Sequence, residues 1–252
     1  MQRLLLLLAA IFFINVSTSS ELKAQTRASH DKWDQLLQKH VDQNGLVNYK
    51  GMKADLAVLD DYLNLLSSNH PDKATWSEKE QLAYWINAYN AFTEKLILDN
   101  YPVESIKDIG SSINIPFVNT PWDIKFINIG DEEYDLNNIE HGIIRKEFDE
   151  PRIHFALVCA AISCPRLRNE AYTHAELNVQ LEEEARFFFN NPAKNNVSKE
   201  SMQLSKLMSW YWGDFKGQAK SRAEYVNRYS DVKANPDADV DFLDYNWTLN
   251  EQ

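Results

Sequence analysis

Cysteine, glycine and basic charge are scarce in this chain. Its 252 residues include two cysteines, seven glycines and eight prolines. Two cysteines cannot form a disulfide framework, and so little glycine and proline excludes a collagen-like or loop-dominated chain. With 26 basic against 37 acidic residues the net charge is −11, which disfavours a nucleic-acid partner because phosphates call for a basic surface. Long apolar runs are also missing. The apolar stretch Leu4 to Val16 has 13 residues, whereas a helix spans a bilayer with about 20. What is present is 44% hydrophobic, 12% aromatic and 25% charged, the profile of a globular protein.

The start, MQRLLLLLAAIFFINV followed by STSS, combines a basic residue, a short apolar core and a small, polar stretch. That is the pattern of a secretory signal peptide, so residues 1–25 are expected to be a leader. Residues 26–252 are then expected to be one globular domain, exported to the periplasm or beyond, with no stable membrane span once the leader is removed. No repeat and no linker-like stretch interrupts them.

Helical spacing marks His30 to Val41, Lys53 to Leu66, Thr173 to Asn190, Ser205 to Phe215 and Arg222 to Tyr229. Ser77 and Glu80 form a capping-box pattern that opens a helix running to about Asn100, where Pro102 ends it. Asn44-Gly45 reads as a turn before a short strand at Leu46 to Tyr49. Trp122 to Leu136, broken at Gly130-Asp131, reads as a hairpin. Asn137 or Asn138 would cap a short helix ending near Phe148. The apolar run Ile153 to Cys159 reads as a buried strand, and Asp241 to Leu249 as a last strand. The expected fold is α+β: a helix-rich domain with a small, mostly antiparallel sheet.

Three stretches place polar residues where apolar ones would be expected. YWINAYNAF puts Asn87 and Asn90 on one face of an otherwise apolar helix. Their amides either satisfy neighbouring backbone or orient a catalytic group. NIEHGIIRK puts His141 and Arg145 on one face, with Glu140 about 100° round the helix, and Gly142 leaves room for another segment. RIHFALVCAAISCPRLR holds His154, Cys159, Ser163 and Cys164. On a straight strand His154 and Cys159 would face opposite sides, on the order of 16 Å apart. Cys164 falls in a loop stopped by Pro165, and the flanking Arg166 and Arg168 would favour its thiolate. The two cysteines are open to several roles: a small buried hydrophobe, a disulfide permitted in an exported protein, or a nucleophile. A metal site is disfavoured because C-x₄-C is not the usual knuckle and no H-E-x-x-H is present. No phosphate loop or G-x-S-x-G elbow occurs, and no cofactor is expected.

YWINAYNAF, LNNIEHGIIR, PRIHFALVCAAISCPRLR and the closing FLDYNWTLN, in this order and spacing, resemble the family known as domain of unknown function 547. The resemblance runs from about Asp31 to the C-terminus and singles out Asn87, Asn90, Glu140, His141, Arg145, His154, Cys159, Ser163, Cys164 and Pro165. Plant members of that family often carry Ser or Asp at the position of Cys164, which speaks against a disulfide or a two-cysteine metal site shared by the whole family and favours Cys159 over Cys164 as the shared nucleophile, with both left open. Two functions are expected on these grounds. One is a thiol hydrolase or acyl transferase with papain-like or transglutaminase-like logic, acting on a peptide-like substrate. In it Cys159 or Cys164 attacks, His141 or His154 takes the proton, and Glu140, Asn87 or Asn90 orients or stabilises, with Arg145 and Ser163 binding. The other is a non-catalytic module in which Trp210, Tyr211 and Trp212 engage a peptide, glycan or protein partner.

Overall fold

The computed structural model describes residues 27–110 and 120–252, so the expected leader lies outside the described residues. The fold is mixed helix and sheet, as the spacing of apolar residues implies. Four helices open the chain: α1 (Asp31–His40), α2 (Tyr49–Ala54), α3 (Leu56–Ser68) and α4 (Glu78–Asn100). The periodic run expected to be one helix from Lys53 is therefore two, hinged at Asp55, and the strand expected at Leu46 to Tyr49 reduces to isolated bridges at Val47. Gly45, in the turn between α1 and α2, has φ +81°, and a Cβ there would stand 2.4 Å from that of Arg166. Both the conformation and the close approach demand glycine.

α4 is the central helix. Ser77 accepts from the Glu80 N–H and Glu80 accepts from the Ser77 N–H, so the expected capping box forms, a contribution of about 1 kcal/mol. From Leu82 to Leu98 α4 is buried on all sides except at Lys95, as a helix without a continuous polar face must be. The hairpin pairs β1 (Ile127–Ile129) with β2 (Glu132–Tyr134) antiparallel, with Gly130 at φ +60° in the turn. A π-helical stretch, Asn138–Ile144, then runs into α5 (Arg145–Glu147). Such wide turns recur at functional sites. Gly142 stands within it with no atom of the described residues within 4 Å of where a Cβ would lie, so no described segment packs against it, contrary to expectation.

The strand expected at Ile153 to Cys159 does not form. Pro151–Phe155 is a 3₁₀ helix, and the chain continues irregularly to the cysteines. An apolar run of this length is compatible with a strand or with any buried segment. Here Glu150 and Pro151 start a tight helix, with the Glu150 side chain accepting from the Arg152 N–H. The remaining elements are α6 (Leu177–Asn190), β3 (Asn196–Val197), β4 (Ser201–Leu204), α7 (Leu207–Trp210), α8 (Trp212–Phe215), α9 (Arg222–Tyr229) and β5 (Asp239–Phe242). β3 pairs antiparallel with β4, and β4 parallel with β5. The last strand thus comes earlier and is shorter than expected.

Two apolar cores result. The larger gathers α1 to α4, the hairpin and the segment around Ala156 to Ala160. The smaller is aromatic, built on Phe155, Phe188, Phe189, Phe215, Tyr225 and Tyr229 from the 3₁₀ helix, α6, α8 and α9. The 3₁₀ helix serves both, since Ile153 packs in the first and Phe155 in the second. His154 lies between these two residues.

Candidate functional site

A cleft of about 290 Å³ brings together Glu140 and His141 from the π-helical stretch, His154 from the 3₁₀ helix, and Cys159 and Cys164. Its walls are aromatic: Tyr89, Trp122, Trp210, Tyr211, Tyr245 and Trp247. The absence of the expected strand explains the meeting. An extended chain would hold His154 and Cys159 on opposite faces, whereas the helical turn lets both border one space.

His154 is 3% exposed, and its Nε2–H donates to Asp214 Oδ2 at 2.7 Å. Its ring stacks on Tyr211 with centroids 3.9 Å apart. Asp214 comes from α8 and is held by Arg145, whose Nε and Nη2 reach its two oxygens at 2.7 and 2.9 Å. The His154 hydrogen bond and the Arg145 guanidinium hold the Asp214 carboxyl far below the usual carboxylate range. Burial lowers the His154 pKa, and the hydrogen bond to Asp214 offsets this only in part. The imidazole is therefore neutral at neutral pH. With its Nε2 proton committed to Asp214, Nδ1 carries the lone pair and can accept a proton.

His141 has the opposite polarity. Arg145 Nη1 approaches its Nδ1 at 2.9 Å, and a guanidinium only donates. Nδ1 is thus an acceptor, and the ring N–H is on Nε2. The cleft therefore holds one imidazole able to accept a proton and one able to donate a hydrogen bond. Glu140 is 6% exposed. Tyr89 donates to its Oε2 at 3.2 Å, and its Oε1 stands 3.6 Å from His141 Nδ1. Glu140 makes no ion pair with Arg145, which is engaged by Asp214 and His141.

Cys159 and Cys164 are joined in a disulfide. This selects one of the roles left open by the sequence, and in this oxidised form neither residue offers a thiol. Cys159 is partly exposed, with Sγ 3.2 Å from the Tyr245 hydroxyl. Cys164 is 3% exposed, and its Sγ accepts from the Cys159 N–H at 2.8 Å. The flanking arginines do not serve the sulfur as expected. Arg166 and Arg168 both pair with the buried Glu184, at 2.9 and 2.8 Å. The nearby cation is Lys194, whose Nζ donates to the Cys164 and Ile162 carbonyls. Burial brings its pKa down to about 8.

The asparagines and Ser163 are placed elsewhere. Asn87 exchanges two hydrogen bonds with the Tyr172 backbone, at 2.7 and 2.9 Å. Asn90 donates to the Ala156 carbonyl at 2.9 Å and accepts from the Val158 N–H at 3.1 Å. Neither lines the cleft; each fastens a loop to α4. Asn90 thereby fixes the approach to Cys159. Ser163 Oγ accepts from the Asn246 N–H at 2.8 Å, tying down the C-terminal segment that carries Tyr245 and Trp247. Of the aromatic trio named from the sequence, Trp210 and Tyr211 line the cleft, whereas Trp212 stacks with Arg222 beside the smaller core.

Sequence reasoning missed Asp214 as the partner of His154, and missed Tyr89, Trp122, Tyr245 and Trp247. The signal for Asp214 was a carboxylate inside the aromatic run Trp210 to Phe215. Among the described residues no group of three or more histidine, cysteine or carboxylate side chains is arranged to hold a metal ion.

Fold and cleft together define a helix-rich α+β protein that presents a disulfide, an oriented imidazole and a buried carboxylate to one aromatic-walled space. Residues 73–189 match the family model described as "Protein of unknown function, DUF547", which supports placing this stretch in that family. The matched stretch contains both asparagines, Glu140, His141, Arg145, His154 and both cysteines. Asp214, Tyr245 and Trp247 lie beyond it. No curated protein and no solved structure matches the chain.

Proposed function

We propose that the cleft is a thiol-dependent acyl-transfer site, a hydrolase or acyl transferase for peptide-like substrates, and that the disulfide is its resting form. The observation that carries this reading is that Cys159 borders the same cleft as the His154–Asp214 pair. Two external thiols open the disulfide, giving up two electrons and two protons as they join in a disulfide of their own. The Cys159 thiol then loses its proton to His154 Nδ1, and the thiolate attacks an acyl carbon. His141 Nε2–H is the donor available to the developing oxyanion. The C–N bond of an amide substrate breaks as His154 returns the proton to the leaving nitrogen. Water or an amine then resolves the thioester. Cys164, whose sulfur is buried and already accepts the Cys159 N–H, is the better leaving thiolate when the disulfide opens.

An exported setting suits a protein that rests as a disulfide. The excess of acidic residues argues against nucleic acid as its partner.

Alkylation tests the reading. After mild reduction of the folded protein, iodoacetamide at pH 6.5 should label Cys159 about tenfold faster than free cysteine. Exchanging His154 for Asn should remove the advantage. If both thiols of the reduced, folded protein stay inert below pH 8, the acyl-transfer reading fails.

The non-catalytic reading keeps one specific support, the aromatic wall. Trp210, Tyr245 and Trp247 stack with centroids 4.5 to 6.2 Å apart, and Trp210 is 50% exposed. Such a surface would hold a ligand with or without chemistry. Ligand binding that is unchanged by Cys159→Ser, with no thiol reactivity on reduction, would establish it.

A further inference from the structure

The charges in the cleft do not balance. Arg145 and Asp214 neutralise each other through two short hydrogen bonds. His154 is neutral for the reason given, and His141 Nδ1 accepts from Arg145 rather than donating to Glu140. Glu140 remains, and no lysine or arginine among the described residues comes within 4 Å of its carboxylate; the nearest basic atom is His141 Nδ1 at 3.6 Å. That atom cannot serve as a donor, because the Arg145 guanidinium already directs an N–H at it. Oε1 therefore faces a lone pair on one side. The phenol hydroxyls of Tyr89 and Tyr211 turned toward Glu140 ease the desolvation of the carboxylate without neutralising it. Its negative field reaches Tyr211 and Tyr245 and adds to burial in raising the pKa of both.

Arg145 acts on Glu140 only through space, being bound to Asp214 and His141, and a buried carboxylate with no cation in contact is costly unless something completes it. What surrounds it points to the missing group. Tyr89, Trp122, Tyr211, Tyr245 and Trp247 present aromatic rings around the same space, and the negative face of such a ring attracts a cation. Two of these rings already do so from outside the cleft. Lys107 Nζ lies 5.2 Å from the Trp247 centroid and Arg145 Cζ 5.1 Å from that of Tyr211. An anionic ligand would meet Glu140 unscreened. A neutral one would leave its charge uncompensated.

We propose that the cleft recognises a primary ammonium group of a peptide-like ligand, seated between the Glu140 carboxylate and the aromatic rings. The inference rests on reading the cleft as a ligand site, and it names the charge of that ligand. Its source is an amino-terminal amine or a lysine-type side chain. Both present the same –NH₃⁺ to Glu140, with one N–H also able to reach the lone pair of His154 Nδ1.

The test is a tryptophan-fluorescence titration of the oxidised protein, in which no thiol is free. Three peptide probes are compared: N-acetyl-Ala-Lys-Ala-amide, the same peptide with its lysine Nε-acetylated, and Ala-Ala-Ala-amide with a free amino terminus. At least one amine-bearing peptide should bind about tenfold tighter than the acetylated one, and the tighter of the two identifies the source. Glu140→Gln should abolish the difference. Equal or tighter binding of the acetylated peptide overturns the proposal. So does an absence of binding by all three probes, or a preference that survives in Glu140→Gln. Because the wild-type comparison needs no variant, it stands even if Glu140→Gln fails to fold. Amine preference without thiol reactivity would sink the acyl-transfer reading alone. Thiol reactivity without amine preference would sink only this one.

Discussion

The middle of α4 and the wall of the cleft bury polar side chains among aromatic rings in opposite ways. In α4 each asparagine amide nitrogen donates to one backbone carbonyl and its oxygen accepts from one backbone N–H. Neither polar atom of the amide lacks a partner, and the result is a rivet. In the cleft wall the count is uneven. Glu140 and His154 Nδ1 are acceptors, and the guanidinium that might have satisfied them is engaged by Asp214 and His141 Nδ1. A saturated polar group holds a fold together, whereas an unsaturated group facing a cavity awaits a ligand or a proton.

The first way to break this contrast is at the rivet. Asn90→Ala strands the Ala156 carbonyl and the Val158 N–H, and should cost about 3–5 kcal/mol in denaturant unfolding. A loss under about 1 kcal/mol would show that these groups find other partners. In the cleft, Asp214→Asn removes the charge that orients His154. It should slow alkylation of reduced Cys159 by up to about tenfold, the advantage that His154 confers, and the loss of the Arg145 pair should lower the melting temperature as well. A large drop in melting temperature with unaltered alkylation would make Asp214 structural.

Glu94 sharpens the comparison, because it is a buried acceptor with no cavity to face. It lies in α4, fully buried, and neither of its oxygens has a hydrogen-bond partner. The nearby Tyr49 hydroxyl is donated to Asn250 instead. Burial pushes its pKa up to about 8. The folded state then holds this proton across a range in which the unfolded chain, with an ordinary glutamate, has lost it. Stability falls as pH rises from the unfolded value toward about 8, and levels off above it. Glu94→Gln should therefore stabilise by on the order of 2 kcal/mol near pH 8 and by much less near pH 5. A pH-independent difference in melting temperature would refute the account. The smallest effect is expected at Ser163. Ser163→Ala removes one hydrogen bond at the surface and should cost about 1 kcal/mol or less, with the alkylation rate of reduced Cys159 unaltered.

What the sequence disclosed follows from the range of the forces involved. The α4 cap, α1, α9 and the turn at Gly130 are set by residues within a few positions of one another, and all are visible in the letters. The carriers of the site were visible too, because histidine, cysteine and glutamate stand out in apolar surroundings. Their partners were not. His154 meets Asp214 across 60 residues, and Cys159 meets Tyr245 across 86. Nothing local announces either contact. The run Ile153 to Cys159 misled because hydrophobicity reports burial rather than backbone conformation. That single misreading set His154 and Cys159 on opposite faces, when a tight helix turns both toward one cleft. Asn87 and Asn90 were legible as exceptions, but whether their amides faced backbone or cavity depended on loops around Ala156 and Tyr172 that only the fold brings near.

The most direct test of the central claim is mass spectrometry of the protein after brief exposure to p-nitrophenyl acetate, in reduced and oxidised form. The account predicts one acetyl group on Cys159 in the reduced protein, none in the oxidised protein, and a marked loss of acetylation in His154→Asn. Acetylation that is absent from the reduced protein, or that falls on Cys164 or on surface lysines at the same rate in both redox forms, would contradict it.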